Sequence, residues 1–151
     1  MRILFANENT IYSSFRVRKL RELGFEVIFR QNAAQVFEAF EGPRESWPDI
    51  LVMDNFLPSG ETELVTEHST YGYIRTGTAI YGVLRERQIT TPVLIYTSER
   101  IGHEDLKELC VNDSRLAEVY GCADDSTSQI MAAVQKLAEL VGAKVAPASA
   151  S

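Results

Sequence analysis

The chain has 151 residues, 45% of them hydrophobic and 24% charged, with 21 acidic residues against 15 basic ones and a formal net charge of −6. That size and balance suit one globular domain with a respectable core. The acidic balance does not supply a uniform basic surface, and no helix-turn-helix or zinc-finger signature occurs, so direct nucleic-acid binding is not expected.

Taken in chain order, the first strand is Ile3 to Ala6, which stops at Asn7-Glu8-Asn9. A helical pattern follows from Thr10 to Leu23, with Phe15, Leu20 and Leu23 expected on the apolar face and Arg16, Arg18, Lys19 and Arg21 on the wet one. Asn9 is expected to cap it, and Gly24 to end it. Phe25 to Phe29 reads as a second strand and Ala33 to Phe40 as a second helix. The stretch PDILVMDNFLPSG, Pro48 to Gly60, holds an unbroken apolar run, then Asp54, then a turn. A short apolar run bounded by turn residues is the pattern of a strand buried on both faces. A third helix is expected from about Thr78 to Arg87, a fourth strand from Val93 to Tyr96, and a helix from Glu104 to Leu109. Val119 to Cys122 reads as a short fifth strand. Ser126 to Val141 reads as a closing helix with Ile130, Val134, Leu137 and Val141 on one face. The last residues, 143–151, are small and rich in Pro and Ser, the composition of a disordered tail.

Alternating strands and helices predict a parallel sheet covered by helices on both faces. Five strands with right-handed crossovers suggest the flavodoxin-like order 2-1-3-4-5, whose ligand crevice lies at the carboxyl ends of the first and third strands. That order puts Asn7-Glu8 beside Asp54. Cys110 and Cys122 do not pair as C-x-x-C, and His68 and His103 add too little for a zinc site. No apolar run is long enough to span a bilayer, and the one in MRILFANEN is too short for a signal peptide. A cytoplasmic protein with reduced thiols is the expectation.

In order and spacing, ILFANEN, RELGFEV, DILVMDNFLPSG and PVLIYTS resemble the receiver domain of bacterial two-component response regulators over most of residues 1–142. The resemblance implies a signalling switch rather than an enzyme. A histidine kinase or phosphotransfer protein phosphorylates it, and output passes by protein–protein contact to a downstream partner or a second copy. By family position Asp54 is the phosphoacceptor. Glu8, Asp54 and the backbone carbonyl of Phe56 are ligands of Mg²⁺, Thr97 contacts the phosphoryl group with Ser98 beside it, and Tyr120 is the switch aromatic. The face built by the fourth helix, fifth strand and fifth helix is the family's usual output surface.

Departures from the pattern are as informative. Asn7 stands where the family has an acid, so it serves the metal weakly or through a water. The Lys-Pro pair expected after the fifth strand is absent. Ala123-Asp124 falls there, with Asp125 next to it. Arg75 and Arg100 are the candidate replacements for the missing Lys. About fifteen residues are inserted after Gly60, at about 61–77, judged against the short crossover loops of α/β units. Glu61, Glu63, Glu67, His68, Tyr71, Tyr73 and Arg75 lie in this segment, and Tyr71, Tyr73 and Tyr81 are expected to pack it onto the body as a lid over Asp54.

Phosphoryl transfer is helped mainly by positioning and by neutralising charge on the phosphoryl oxygens, which is why the chemistry needs these residue types. Mg²⁺ takes oxygen ligands and keeps several waters, so one or two carboxylates and a carbonyl suffice. Two other readings stand beside this one. A pseudo-receiver would keep the fold and dock partners without phosphorylation, as Asn7 and the absent Lys favour. A small α/β enzyme or nucleotide binder is disfavoured, because no G-x-G-x-x-G or P-loop is present to cradle phosphates.

Overall fold

Each interior strand is a run of branched apolar residues, and burial on both faces follows from that composition. In a computed structural model, which describes residues 1–66, 70, 73–121 and 126–145, β1 (Arg2–Ala6), β3 (Ile50–Asp54) and β4 (Val93–Thr97) form the middle of the sheet. β2 (Glu26–Arg30) and β5 (Leu116–Tyr120) are its edges. All neighbouring pairs are parallel, in the order β2-β1-β3-β4-β5. This is the predicted flavodoxin-like sheet.

The period-two alternation of side chains divides the core into two layers. Leu4, Ala6, Leu51, Met53, Val93 and Ile95 face α2 (Ala33–Glu38) and α3 (Thr76–Glu86). Ile3, Phe5, Ile50, Val52, Leu94 and Tyr96 face α1 (Thr10–Glu22) and α5 (Thr127–Val145). α4 (Arg100–Asn112) adds Leu106 to the first layer. Burying one such Leu or Ile contributes about 1.5–3 kcal/mol, so the sheet and its two covers account for most of the hydrophobic stabilisation.

Several expected boundaries move. β1 and β2 are displaced by about one residue, within the range over which element ends fray. α1 does end at Gly24, whose φ of +96° lets its N–H reach the Arg21 carbonyl while the Phe25 N–H reaches that of Leu20. Its buried face is different, however: Ser13, Arg16, Val17 and Leu20 are inside, while Phe15 and Leu23 are 45% and 46% exposed. α4 begins at Arg100 rather than the expected Glu104 and runs on to Asn112, and α5 passes Gly142 to reach Val145. β5 lies earlier than expected, at Leu116–Tyr120, because Glu118 sits inside the strand. That glutamate finds a partner in His103 of α4, with Oε1 2.7 Å from Nδ1. Cys122 to Asp125, Glu67 to Ser69, Tyr71, Gly72 and the last six residues lie outside the described residues. No described helix is long and apolar enough to cross a membrane.

The inserted segment is packed where it is described. The Pro58 and Ser59 carbonyls accept from the N–H groups of Ala33 and Ala34 at the start of α2. Val65 is 4% exposed and joins the core layer of Leu57 and Ile80. Thr70 is fully buried, and its carbonyl accepts from the Arg75 N–H at 2.7 Å. Tyr81, within α3, is buried, and its hydroxyl donates to Asp113 Oδ2 at 2.6 Å, a partner outside the inserted segment. Tyr73 is 40% exposed at a φ of +72° and contributes less to packing. α3 begins at Thr76, two residues before the expected start.

Candidate functional site

The register of the sheet gathers the site. Ala6 pairs with Met53, Asp54 with Tyr96, and Thr97 with Tyr120, so the strand ends carry Asn7-Glu8, Asp54, Thr97 and Tyr120 to one edge. Alternation sets the direction. Asn7 follows Ile3 and Phe5, Asp54 follows Ile50 and Val52, and Tyr96 follows Leu94, all on the α1/α5 face.

These three side chains meet. Asn7 Nδ2 donates to the Tyr96 hydroxyl at 2.6 Å and to Asp54 Oδ2 at 3.3 Å. Asp54 Oδ1 accepts the Phe56 backbone N–H at 3.0 Å. The orientation of the Asn7 amide follows from its other end, where Oδ1 accepts the Asn9 N–H at 2.8 Å. A backbone N–H is only a donor, so the amide oxygen turns toward Asn9 and the nitrogen toward Asp54. The oxygen that a directly bound metal would use is therefore engaged elsewhere.

Asp54 is a partly desolvated carboxylate. Burial pushes its pKa from 3.8 up to about 6, opposed by the Phe56 N–H and by Arg16, and reinforced by the negative charge of Glu8. Burial, followed by the charge of Asp54, also raises Tyr96 well above its ordinary value, so the phenol keeps its proton. Glu8 is exposed. Glu8 raises the proton affinity of Asp54 by its charge, so a cation near the two would relieve that repulsion, but no cluster of three or more His, Cys, Asp or Glu side chains able to hold a metal occurs among the described residues.

Thr97 is 3% exposed, and its hydroxyl accepts the Glu99 N–H at 3.0 Å, which fixes the turn into α4. Tyr120 is 43% exposed and stacks on His103, with centroids 4.2 Å apart and planes 11° from parallel. Arg75 is occupied by an ion pair, its Nη2 2.9 Å from Asp105 on α4. The side chain of Arg100, along with His68, Tyr71, Asp124 and Asp125, lies outside what is described.

Sequence reasoning missed Arg16 by assigning it to the wet face. It is 3% exposed, its guanidinium carbon lies 4.9 Å from the centre of the Tyr96 ring, and it donates to Ser126 Oγ at 2.9 Å and Thr127 Oγ1 at 3.2 Å. The available signal was the spacing 13, 16, 17, 20, a helical stripe with a charged member. Gly77 at the start of α3 also belongs to the site's support. Its N–H donates to the Asn55 carbonyl at 3.1 Å, and a Cβ there would lie 3.1 Å from Asn55 Cα and 3.2 Å from the Asp54 oxygen.

The sheet order and the helical layers make a flavodoxin-like fold, which solved receiver domains share. Among solved structures, the chain is similar to the receiver domain of the Francisella response regulator 1452, with 18% identity over 90% of this chain and 94% of that one, at a TM-score of 0.64. It is similar to the response regulator TrrA of Thermotoga maritima, solved in complex with Mg²⁺ and BeF, with 18% identity over 90% and 97% of the two chains and a TM-score of 0.62. It also resembles the BeF₃-activated receiver domain of Klebsiella pneumoniae RstA, with 16% identity over 89% and 96% and a TM-score of 0.61. No family model and no curated protein matches the sequence.

Proposed function

We propose that the protein is a two-component receiver switch, phosphorylated on Asp54 by a histidine kinase or phosphotransfer protein and acting by protein–protein contact rather than as an enzyme. The observation that carries this reading is Asp54 itself, a partly desolvated carboxylate at the end of a central strand. A carboxylate oxygen attacks the phosphorus of a phosphohistidine. The O–P bond forms as the N–P bond breaks, and the imidazole leaves with the electron pair. The Phe56 N–H holds one carboxylate oxygen of Asp54 and so orients the other. Glu8, Asp54 and the Phe56 carbonyl would hold Mg²⁺, with Asn7 contributing through a water. The ion supplies charge neutralisation on the phosphoryl oxygens when bound. Thr97 lies at the end of the neighbouring strand, and Tyr120 on the α4–β5–α5 face is the element whose stacking on His103 would change with the state of the site.

One observation favours a second reading, a docking module that needs no phosphorylation. Asn7 donates to Asp54 and so spends one carboxylate oxygen on an internal bond. Titration with beryllofluoride and Mg²⁺, followed by the amide resonances of Asp54, Phe56 and Thr97, separates the two. Saturable shifts confined to the strand ends are expected for the switch. Resonances that stay still at saturating reagent would assign the chain to the docking reading.

A further inference from the structure

A buried guanidinium is costly to desolvate unless its donors are satisfied. Arg16 lies in the core layer of Val17, Leu20 and Tyr96, with its head between the Tyr96 ring and the start of α5. One end of its environment is the hydroxyl pair of Ser126 and Thr127. The other is Tyr96, whose hydroxyl is bonded to Asn7, which is bonded in turn to Asp54. Val119 is the last core residue of β5, and the residues from Gly121 to Asp125 include no Lys or Arg. Among the described residues, the buried cation on this face of the sheet thus comes from α1.

We propose that Arg16 is the positioning cation of the Asp54 site, coupling the charge carried by Asp54, through Asn7 and Tyr96, to Ser126 and Thr127 at the start of α5. The inference rests on Asp54 being the group whose charge changes, and it deepens the switch reading by naming a route from Asp54 to the output face. Adding negative charge at Asp54 strengthens the pull on Arg16. Because the guanidinium holds both hydroxyls with its planar fork, a shift of its head moves the first turn of α5. A direct electrostatic influence of Arg16 on Asp54 accompanies this geometry.

The test uses the full chain and four variants: Arg16→Met, which keeps the stem and removes the charge, Arg16→Lys, which keeps the charge, Tyr96→Phe, which removes only the hydroxyl, and Asp54→Asn. The readouts are beryllofluoride affinity in the presence of Mg²⁺ and the amide shifts of Ser126 and Thr127. Arg16→Met is expected to bind beryllofluoride about tenfold more weakly, a loss typical of coupled sites, with Arg16→Lys recovering most of it. Tyr96→Phe should retain the fold and lose the Ser126 and Thr127 shifts. Beryllofluoride binding and α5 shifts unchanged in both Arg16→Met and Tyr96→Phe would overturn the proposal.

A double-mutant cycle needs no phosphodonor and therefore separates this proposal from the phosphoacceptor reading. Asp54→Asn should move the Ser126 and Thr127 amides in the parent but not in the Arg16→Met background. If Asp54→Asn leaves them unmoved in the parent, the coupling is refuted whatever happens with beryllofluoride. If beryllofluoride fails to bind the parent while the cycle shows coupling, the phosphoacceptor reading falls and the coupling stands.

Discussion

Asp54→Asn should make the protein more stable at neutral pH without a divalent cation. A carboxyl whose pKa rises from 3.8 in the unfolded chain to about 6 in the fold binds its proton more tightly when folded. Between those values the native state holds more proton than the unfolded state, so stability falls as pH rises through that window and is flat above it. At about 1.4 kcal/mol per tenfold change in proton affinity, the full effect is about 3 kcal/mol at pH 7.5. The amide keeps the Phe56 hydrogen bond but loses the one from Asn7, which costs about 1 kcal/mol. A net gain of about 2 kcal/mol is expected in urea unfolding at pH 7.5, and it should shrink as pH falls through the window between about 6 and 3.8 and be gone by about pH 3, where the parent carboxyl is protonated in both states. Mg²⁺ should then stabilise the parent selectively, by about 1.4 kcal/mol at tenfold excess over its dissociation constant. A variant less stable than the parent at pH 7.5, or a difference independent of pH, would refute the account of Asp54 as a desolvated carboxylate.

Glu8 is the exposed partner of Asp54 across the strand ends, and Glu8→Gln should weaken Mg²⁺ binding about tenfold or more by calorimetric titration. Equal affinities would place the metal elsewhere. Gly77→Ala should destabilise by about 1–3 kcal/mol and lower beryllofluoride affinity, because the added methyl meets the Asn55 and Asp54 backbone and the Asn55 side-chain oxygen, which Thr78 holds in place. Thermal unfolding and the same titration check both effects, and an unchanged melting temperature would show that α3 does not press on the site. Val65→Ala should cost about 1–2 kcal/mol, since it empties part of a core layer shared with Leu57 and Ile80. A loss below about 0.5 kcal/mol, the size of an ordinary surface change, would mean that the inserted segment is decoration rather than a packed strap.

The sheet was legible because its interior strands are continuous apolar runs, and Ile50 to Met53 followed by Asp54 identifies both a strand and its end. The gathering of Asn7, Glu8, Asp54 and Thr97 then follows from topology alone. Other features depend on three-dimensional partners. α1 offers two competing stripes, and the one through Phe15 and Leu23 looks more apolar than the one through Ser13 and Arg16. The second stripe is the buried one, and Ser126 and Thr127, at the start of a helix some 110 positions away in sequence, accept hydrogen bonds from its guanidinium. Glu118 disguises β5 because its partner, His103, comes from α4. The direction of the Asn7 amide is decided by one backbone N–H, that of Asn9, which no pattern of residue types reveals.

The most direct measurement is intact mass after incubation with acetyl phosphate and Mg²⁺, on the parent and on Asp54→Asn, with peptide mapping of any adduct. The account predicts one phosphoryl group on the parent, mapped to Asp54, labile in base, and absent from the variant. An unmodified parent under conditions that bind Mg²⁺, or an adduct that survives Asp54→Asn, would contradict it.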